Sequence, residues 1–331
     1  MNGRFSRRGA LKLFSAAVAG AAATGLSGCG LSSGSSVPLR VGPGSIKPVP
    51  ELEGVKFTVG SKDFTEQIVL AYIAEFALEA AGADVRDLSN ITGSASARNA
   101  LVNNQIDVLW EYTGSSWISY NGQTDPIPDP IAQYNAVRKL DLDKNGISWF
   151  ALSLRADNTY AFALNQQNAQ RLGVRKLSDL QRLNPQELSF CVETEFASRN
   201  DGLPGVSQTY GFPVDSSKVE TLNTGTIYAA TASGQTCNFG EVFTTDGRIR
   251  SLNLTVLEDD KQFFPRYNLG VTVRQQMLQQ YPQLEQVFQP VSDRLSNEEL
   301  LDLNAGVDVE GRDPAEVARD WMVKQGFVTL S

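Results

Sequence analysis

Two short stretches carry the residue types best able to do chemistry. They are Val59-Gly60-Ser61-Lys62-Asp63-Phe64-Thr65-Glu66-Gln67 and Trp110-Glu111-Tyr112-Thr113-Gly114-Ser115. Each follows a short apolar run that reads as a buried strand, and each leads into a turn or a helical pattern. In an open α/β sheet, ligands gather at the carboxyl ends of the strands. One junction delivers an ammonium group there and the other a phenol ring. A cation and an aromatic ring converging with hydroxyls suit a small zwitterion rather than a phosphate or a metal.

The elements that must position these groups follow from periodicity and punctuation. Val55–Gly60 reads as a strand. Asp63 has N-cap character, and Glu66 three positions later has capping-box spacing. Ile68, Leu70, Ala71, Ile73, Ala74, Ala77, Leu78 and Ala81 give a helix a broad apolar face, and Gly82 ends it. A strand near Val85–Leu88, a helix Ser94–Asn103 and a strand Ile106–Glu111 follow. This βαβαβ order predicts a parallel sheet.

The Pro- and Asp-rich stretch Gln123–Pro130 reads as a loop, Ile131–Asn145 as a helix, and Trp149–Leu154 and Tyr160–Asn165 as strands. A second α/β set runs through Leu177–Arg182, Leu188–Glu193, Gly205–Tyr210, Thr226–Ser233 and Asn238–Phe243. Phe263–Val273 reads as an extended return, closed by helices near Gln275–Tyr281, Asn297–Ala305 and Pro314–Gln325. One lobe is thus interrupted by another, with two chain crossings and a hinge. We place lobe 1 at residues 53–158 plus 264–331 and lobe 2 at residues 159–263. A ligand that bridges two such lobes favours their closure.

Composition narrows the function classes. The chain has 331 residues, 41% hydrophobic and 20% charged, which suits two globular lobes. It contains no histidine, so the commonest general base and the commonest metal ligand are missing. A Ser-based triad has no imidazole to serve it, and no P-loop sequence occurs. Neither a catalytic residue, a cofactor nor a metal is expected. Arg4, Arg7, Arg8 and Lys12 precede Cys29 with no acid among them. The remainder carries 25 basic against 37 acidic residues, a net charge of −12. That surface argues against nucleic acid and against electrostatic attraction to anionic lipid.

The first 28 residues read as an export signal. Ser6-Arg7-Arg8 with Leu11, Lys12 and Leu13 fits a twin-arginine signal, although general-secretion signals tolerate paired arginines too. The apolar run Leu13–Leu26 is short for a bilayer-spanning helix. It ends in Leu26-Ser27-Gly28-Cys29, which resembles a bacterial lipobox with Cys29 as the lipidated first residue. Residues 29–52, rich in Ser, Gly and Pro, read as a flexible tether with a reach of roughly 25 Å. In an oxidising compartment Cys191 and Cys237 either bridge or remain two buried thiols.

A set of motifs occurs in order: Val59-Gly60-Ser61-Lys62, Glu66-Gln67, Glu111-Tyr112-Thr113-Gly114, Phe196 with Arg199-Asn200-Asp201-Gly202, Thr245-Asp246-Gly247-Arg248-Ile249, and Asp259-Asp260-Lys261 through Pro265 and Tyr267. With these, residues 55 to 331 resemble the glycine betaine/choline (osmoprotectant) substrate-binding lipoproteins of ABC importers. The resemblance implies a bilobal type II periplasmic-binding-protein fold, lipid-anchored to the outer face of the bacterial cytoplasmic membrane. It implies a monomer that hands a betaine-type solute to permease and ATPase subunits.

The resemblance also implies site roles. Tyr112, Tyr160, Phe243 and Tyr267 match the aromatic cage for a quaternary ammonium. Lys62, Arg199, Thr113 and Ser115 match the carboxylate end. Phe243 departs from the family's usual tyrosine, keeping the ring face and losing the hydroxyl. Choline-preferring members can carry an acid in place of Ser115, so serine leans toward a carboxylate-bearing betaine. Arg199 also has Asp201 and Glu195 nearby as ion-pair partners. Choline, carnitine, ectoine, a planar aromatic ligand, or a sensory ligand-binding role are the alternatives.

Overall fold

A computed structural model describes residues 35, 36, 39–125 and 127–331. The export signal and Cys29 lie outside the described residues. The described residues form one compact unit.

Thirteen strands make three sheets among the described residues. In chain order they are β1 (Ser35–Ser36), β2 (Val41–Pro43), β3 (Lys56–Lys62), β4 (Asp84–Ile91), β5 (Val108–Tyr112), β6 (Ile147–Asp157), β7 (Tyr160–Asn165), β8 (Phe190–Val192), β9 (Val219–Thr221), β10 (Phe239–Phe243), β11 (Leu254–Val256), β12 (Asn268–Arg274) and β13 (Val328–Leu330). The first sheet runs β1-β4-β3-β5-β12-β6 and the second β11-β7-β10-β8-β9. β3 is parallel to both β4 and β5, as the βαβαβ reading requires. β12 returns antiparallel between β5 and β6. In the second sheet, β8 lies parallel to β9 and β10, whereas β7 is antiparallel to β10.

The chain passes between the first and second sheets twice, from β6 to β7 and from β11 to β12. The crossings lie side by side: the Asn158 amide donates to the Tyr267 carbonyl (3.3 Å), and the Tyr267 amide to Asp157 Oδ1 (2.8 Å).

The helix Thr65–Ala80 is buried on most of its circumference, with Leu70, Ile73, Ala74, Phe76, Ala77 and Leu78 fully enclosed. That is why its sequence is apolar on more than one stripe. The capping expectation fails here. The N-cap is Phe64, with no side-chain cap, and Asp63 Oδ1 instead accepts from the Gly93 amide at 3.2 Å. An extended Phe64 between Asp63 and the first helical residue puts the carboxylate one position too early.

The expected tether over residues 29–52 overlaps the folded body, since β1 pairs antiparallel with β4. β2 pairs antiparallel with β13, and Val41, Ile46 and Leu52 are buried. Residues 41–52 therefore belong to the folded body. A helix Leu284–Arg294 fills the stretch that the sequence reading leaves unassigned, with Pro290 inside it. Cys191 and Cys237 form a disulfide, with Cα atoms 5.8 Å apart.

Candidate functional site

The first and second sheets aim strand ends at the seam between them. β3 ends at Lys62 and β5 at Tyr112. β10 ends at Phe243, and its antiparallel register sets Phe243 opposite Tyr160, the first residue of β7. The two rings consequently lie 5.2 Å apart. Tyr267 immediately precedes β12, whose Leu269 pairs with Tyr112. Gly114 is required at the turn after β5, because a Cβ there would sit 2.6 Å from the Tyr267 ring.

All four rings singled out from the sequence come together. Tyr160 meets Tyr267 edge-on at 5.3 Å, and Phe243 stacks at 5.2 Å on Phe64, which in turn stacks on Tyr112 at 6.2 Å. Phe64 is the ring that the sequence reading misses. Its signal is its place in the Lys62–Glu66 junction, beside the strand end. Lys62, Phe64, Ser94, Tyr112, Ser115, Asn158, Tyr160, Phe243 and Tyr267 enclose a cavity of about 20 Å³. That is on the scale of one water molecule. The cavity shares Lys62, Phe64, Ser94, Tyr160 and Phe243 with a wider cleft of about 440 Å³, which also meets Glu193, Glu195 and Asn223. Admitting a trimethylammonium group therefore requires the walls to part.

The expected carboxylate set divides. Lys62 and Ser115 line the cavity. Lys62, however, is already paired: its Nζ lies 2.6 Å from Glu111 Oε1, and both side chains are buried. The same ammonium lies 5.1 Å from the Tyr112 ring centroid. Arg199 lines neither the cavity nor the cleft. Its guanidinium forks onto Asp201, with Nε at 2.8 Å and Nη2 at 2.6 Å, and backs the Tyr160 ring at 5.4 Å. Asp201 also accepts from the Tyr267 hydroxyl. Burial opposes the Arg199 charge, but the Asp201 carboxylate, hydrogen-bonded to it, holds its pKa above the ordinary guanidinium value.

Thr113 is structural. Its hydroxyl donates to the Arg266 carbonyl (3.0 Å) and accepts from the Asn268 amide (3.1 Å) and Gln133 Nε2 (3.1 Å). That hydroxyl fastens β5 to the return crossing, so its hydrogen-bonding capacity is taken up inside the fold.

Glu66 is a second residue whose role the sequence reading misplaces. It is buried, and its two oxygens accept four hydrogen bonds. Oε1 takes Tyr112 OH (2.7 Å) and Asn158 Nδ2 (2.9 Å), while Oε2 takes Thr245 Oγ1 (2.5 Å) and Asn304 Nδ2 (3.0 Å). Burial raises its pKa in spite of these donors. Burial likewise raises the pKa of Tyr112, Tyr160 and Tyr267, keeping the phenols neutral at ordinary pH.

Comparison with known proteins agrees with this architecture. Residues 55–324 match the family described as the substrate binding domain of ABC-type glycine betaine transport system. A glycine-betaine-binding protein of Pseudomonas aeruginosa is 38% identical over 272 residues, covering 80% of this chain and 86% of that protein. The glycine betaine-binding protein YehZ of Escherichia coli is 31% identical over 276 residues, covering 81% and 90%. A crystal structure of a glycine betaine/carnitine/choline ABC transporter superposes with a TM-score of 0.66 at 27% identity, covering 82% of this chain and 99% of that one.

Proposed function

This chain belongs to the substrate-binding domains of ABC-type glycine betaine transport systems, and on that premise we propose that it captures a quaternary-ammonium solute of the glycine betaine type between its lobes and delivers it to a permease. It is an extracytoplasmic receptor, and ATP hydrolysis falls to a partner subunit. The reading assigns it no chemistry of its own.

One observation carries the ligand reading: rings from both lobes, Tyr112, Phe64 and Tyr267 from one and Tyr160 and Phe243 from the other, wall a single cavity. A quaternary ammonium has no N–H to donate, and its charge is spread over methyl groups. Aromatic faces attract it by about 0.5–2 kcal/mol per ring when desolvated. A primary amine would lose its water there without regaining hydrogen bonds. Because the rings belong to different lobes, closure and binding become one event.

The paired state of Lys62 and Arg199 favours a second reading of the same site. With Glu111 and Asp201 neutralising both cations, the ligand's far end meets Ser115, Ser94 and Asn158 rather than a free positive charge. Such an end suits a hydroxyl as well as a carboxylate, which brings choline and carnitine into range. Calorimetric titration of the purified protein with glycine betaine, carnitine, choline and glycine tests both readings. Micromolar or tighter binding of a trimethylammonium compound with no heat from glycine is expected; comparable binding of glycine would refute the cage.

The anchoring belongs to the same proposal. Cys29 carries the lipid, the few residues between it and β1 serve as a short tether, and the receptor works as a monomer beside its membrane subunits. Metabolic labelling with a radioactive fatty acid should mark the wild-type chain and not Cys29→Ser.

A further inference from the structure

The two oxygens of Glu66 join four separate parts of the molecule. Tyr112 belongs to the aromatic cavity, Asn158 to the first crossing, Thr245 to the segment after β10 in the second lobe, and Asn304 to the helix Asn297–Asp308. Asn304 closes the knot, since its Nδ2 also donates to the Thr245 carbonyl at 2.9 Å. Glu66, Thr245 and Asn304 are all buried.

We propose that Glu66 is the positioning residue that couples the aromatic cavity to lobe closure, with the Thr245 hydroxyl as the latch it holds across the seam. The inference rests on the quaternary-ammonium reading for its ligand but not for its mechanics. Thr245 is the one donor in the set carried by the second lobe. When the lobes part, Oε2 loses Thr245. When they close, the same carboxylate that fixes the Tyr112 hydroxyl engages the opposite lobe. Ring placement and one of the contacts that hold closure are thereby coupled through one side chain. A carboxylate is the group that fits. Four donors converge on it, and a glutamine would present one acceptor oxygen and turn an amide N–H₂ toward two of them.

The test uses the purified protein and reads two things. The first is small-angle scattering without ligand. Thr245→Val, which keeps the side chain's shape and removes the hydroxyl, should shift the ensemble to a larger radius of gyration, and Thr245→Ser should restore it. The second is stopped-flow dissociation of glycine betaine followed by tryptophan fluorescence. Thr245→Val should dissociate about tenfold faster with association changed less than about twofold, the scale of one lost hydrogen bond to a charged group. Thr245→Ser should stay within about twofold of wild type. Glu66→Gln should move both readouts in the same direction as Thr245→Val. Wild-type compactness and dissociation in Thr245→Val, or a serine variant as defective as the valine, would overturn the latch. If the wild type ignores glycine betaine, the ligand reading fails, and the scattering comparison still decides the latch.

Discussion

Lys62 and Glu111 face each other across 2.6 Å at the ends of adjacent parallel strands, and neither side chain reaches solvent. The carboxylate is held further by the Tyr112 amide (2.8 Å) and the Tyr120 hydroxyl (2.9 Å). A cation placed at the cavity wall is thus cancelled from behind. The pair leaves Lys62 without a free charge to offer a ligand carboxylate.

Removing one partner should tilt the choice between a zwitterion and a monocation. Glu111→Gln leaves Lys62 buried and uncompensated, a change that costs several kcal/mol in stability by analogy with broken buried pairs. The freed ammonium then attracts a ligand carboxylate and repels a ligand cation. The ratio of choline to glycine betaine dissociation constants should rise by at least about tenfold. Titration of both ligands against both proteins checks this; an unchanged ratio would show that Lys62 is remote from the ligand.

The ring at position 64 gives a second expectation. Phe64 sits between Tyr112 and Phe243 and links the rings of the two lobes. Phe64→Leu keeps an apolar wall and deletes a π face. Trimethylammonium affinity should fall about tenfold, on the scale of one cation–π contact. Tyr267→Ala and Tyr112→Ala should fall by at least as much. Equal affinity of the wild type and Phe64→Leu would reduce Phe64 to packing.

These assignments show where the sequence is readable. The βαβαβ order was legible because its apolar periods switch cleanly between strand and helix, and the rings were legible because each stands at a strand end. Charge pairing was less so. Glu111 lies next to Tyr112 in sequence, yet only the register of β3 with β5 reveals that it meets Lys62. Asp201 was in view beside Arg199, but its burial under Tyr267 was not. Val41 pairs with Leu330, a partner no local pattern can indicate. Pro290 hid a helix whose apolar face, Leu284, Val287, Phe288 and Val291, is otherwise regular. Asp63 and Glu66 have capping-box spacing, but tertiary donors claim both carboxylates.

The second lobe's disulfide supplies a prediction about stability rather than binding. Cys191 in β8 and Cys237 before β10 close a loop of 46 residues, away from the aromatic cavity. Opening that loop in the double Ser variant should cost about 2–4 kcal/mol of unfolding free energy. Glycine betaine affinity at 25 °C should stay within about twofold. Denaturant titration and calorimetry measure the two effects; a large loss of affinity without loss of stability would place the bridge in the binding mechanism.

A final prediction concerns Glu75, in the middle of the helix Thr65–Ala80. Its side chain is buried, and both its oxygens are without a hydrogen-bond partner. Burial, with Asp87 and Glu79 nearby, pushes its pKa up to about 10. The folded protein therefore keeps a proton that the unfolded chain releases near the ordinary carboxylate value. A raised pKa contributes stability that is complete below the unfolded value and is lost as pH rises toward the folded one. From about pH 4.5 upward this group should therefore lower stability as pH rises. Glu75→Gln mimics the protonated form at every pH. Its melting temperature should match the wild type near pH 4.5 and exceed it progressively toward pH 9. Thermal unfolding across that range is the measurement; parallel curves for the two proteins would mean that Glu75 is ionised in the fold.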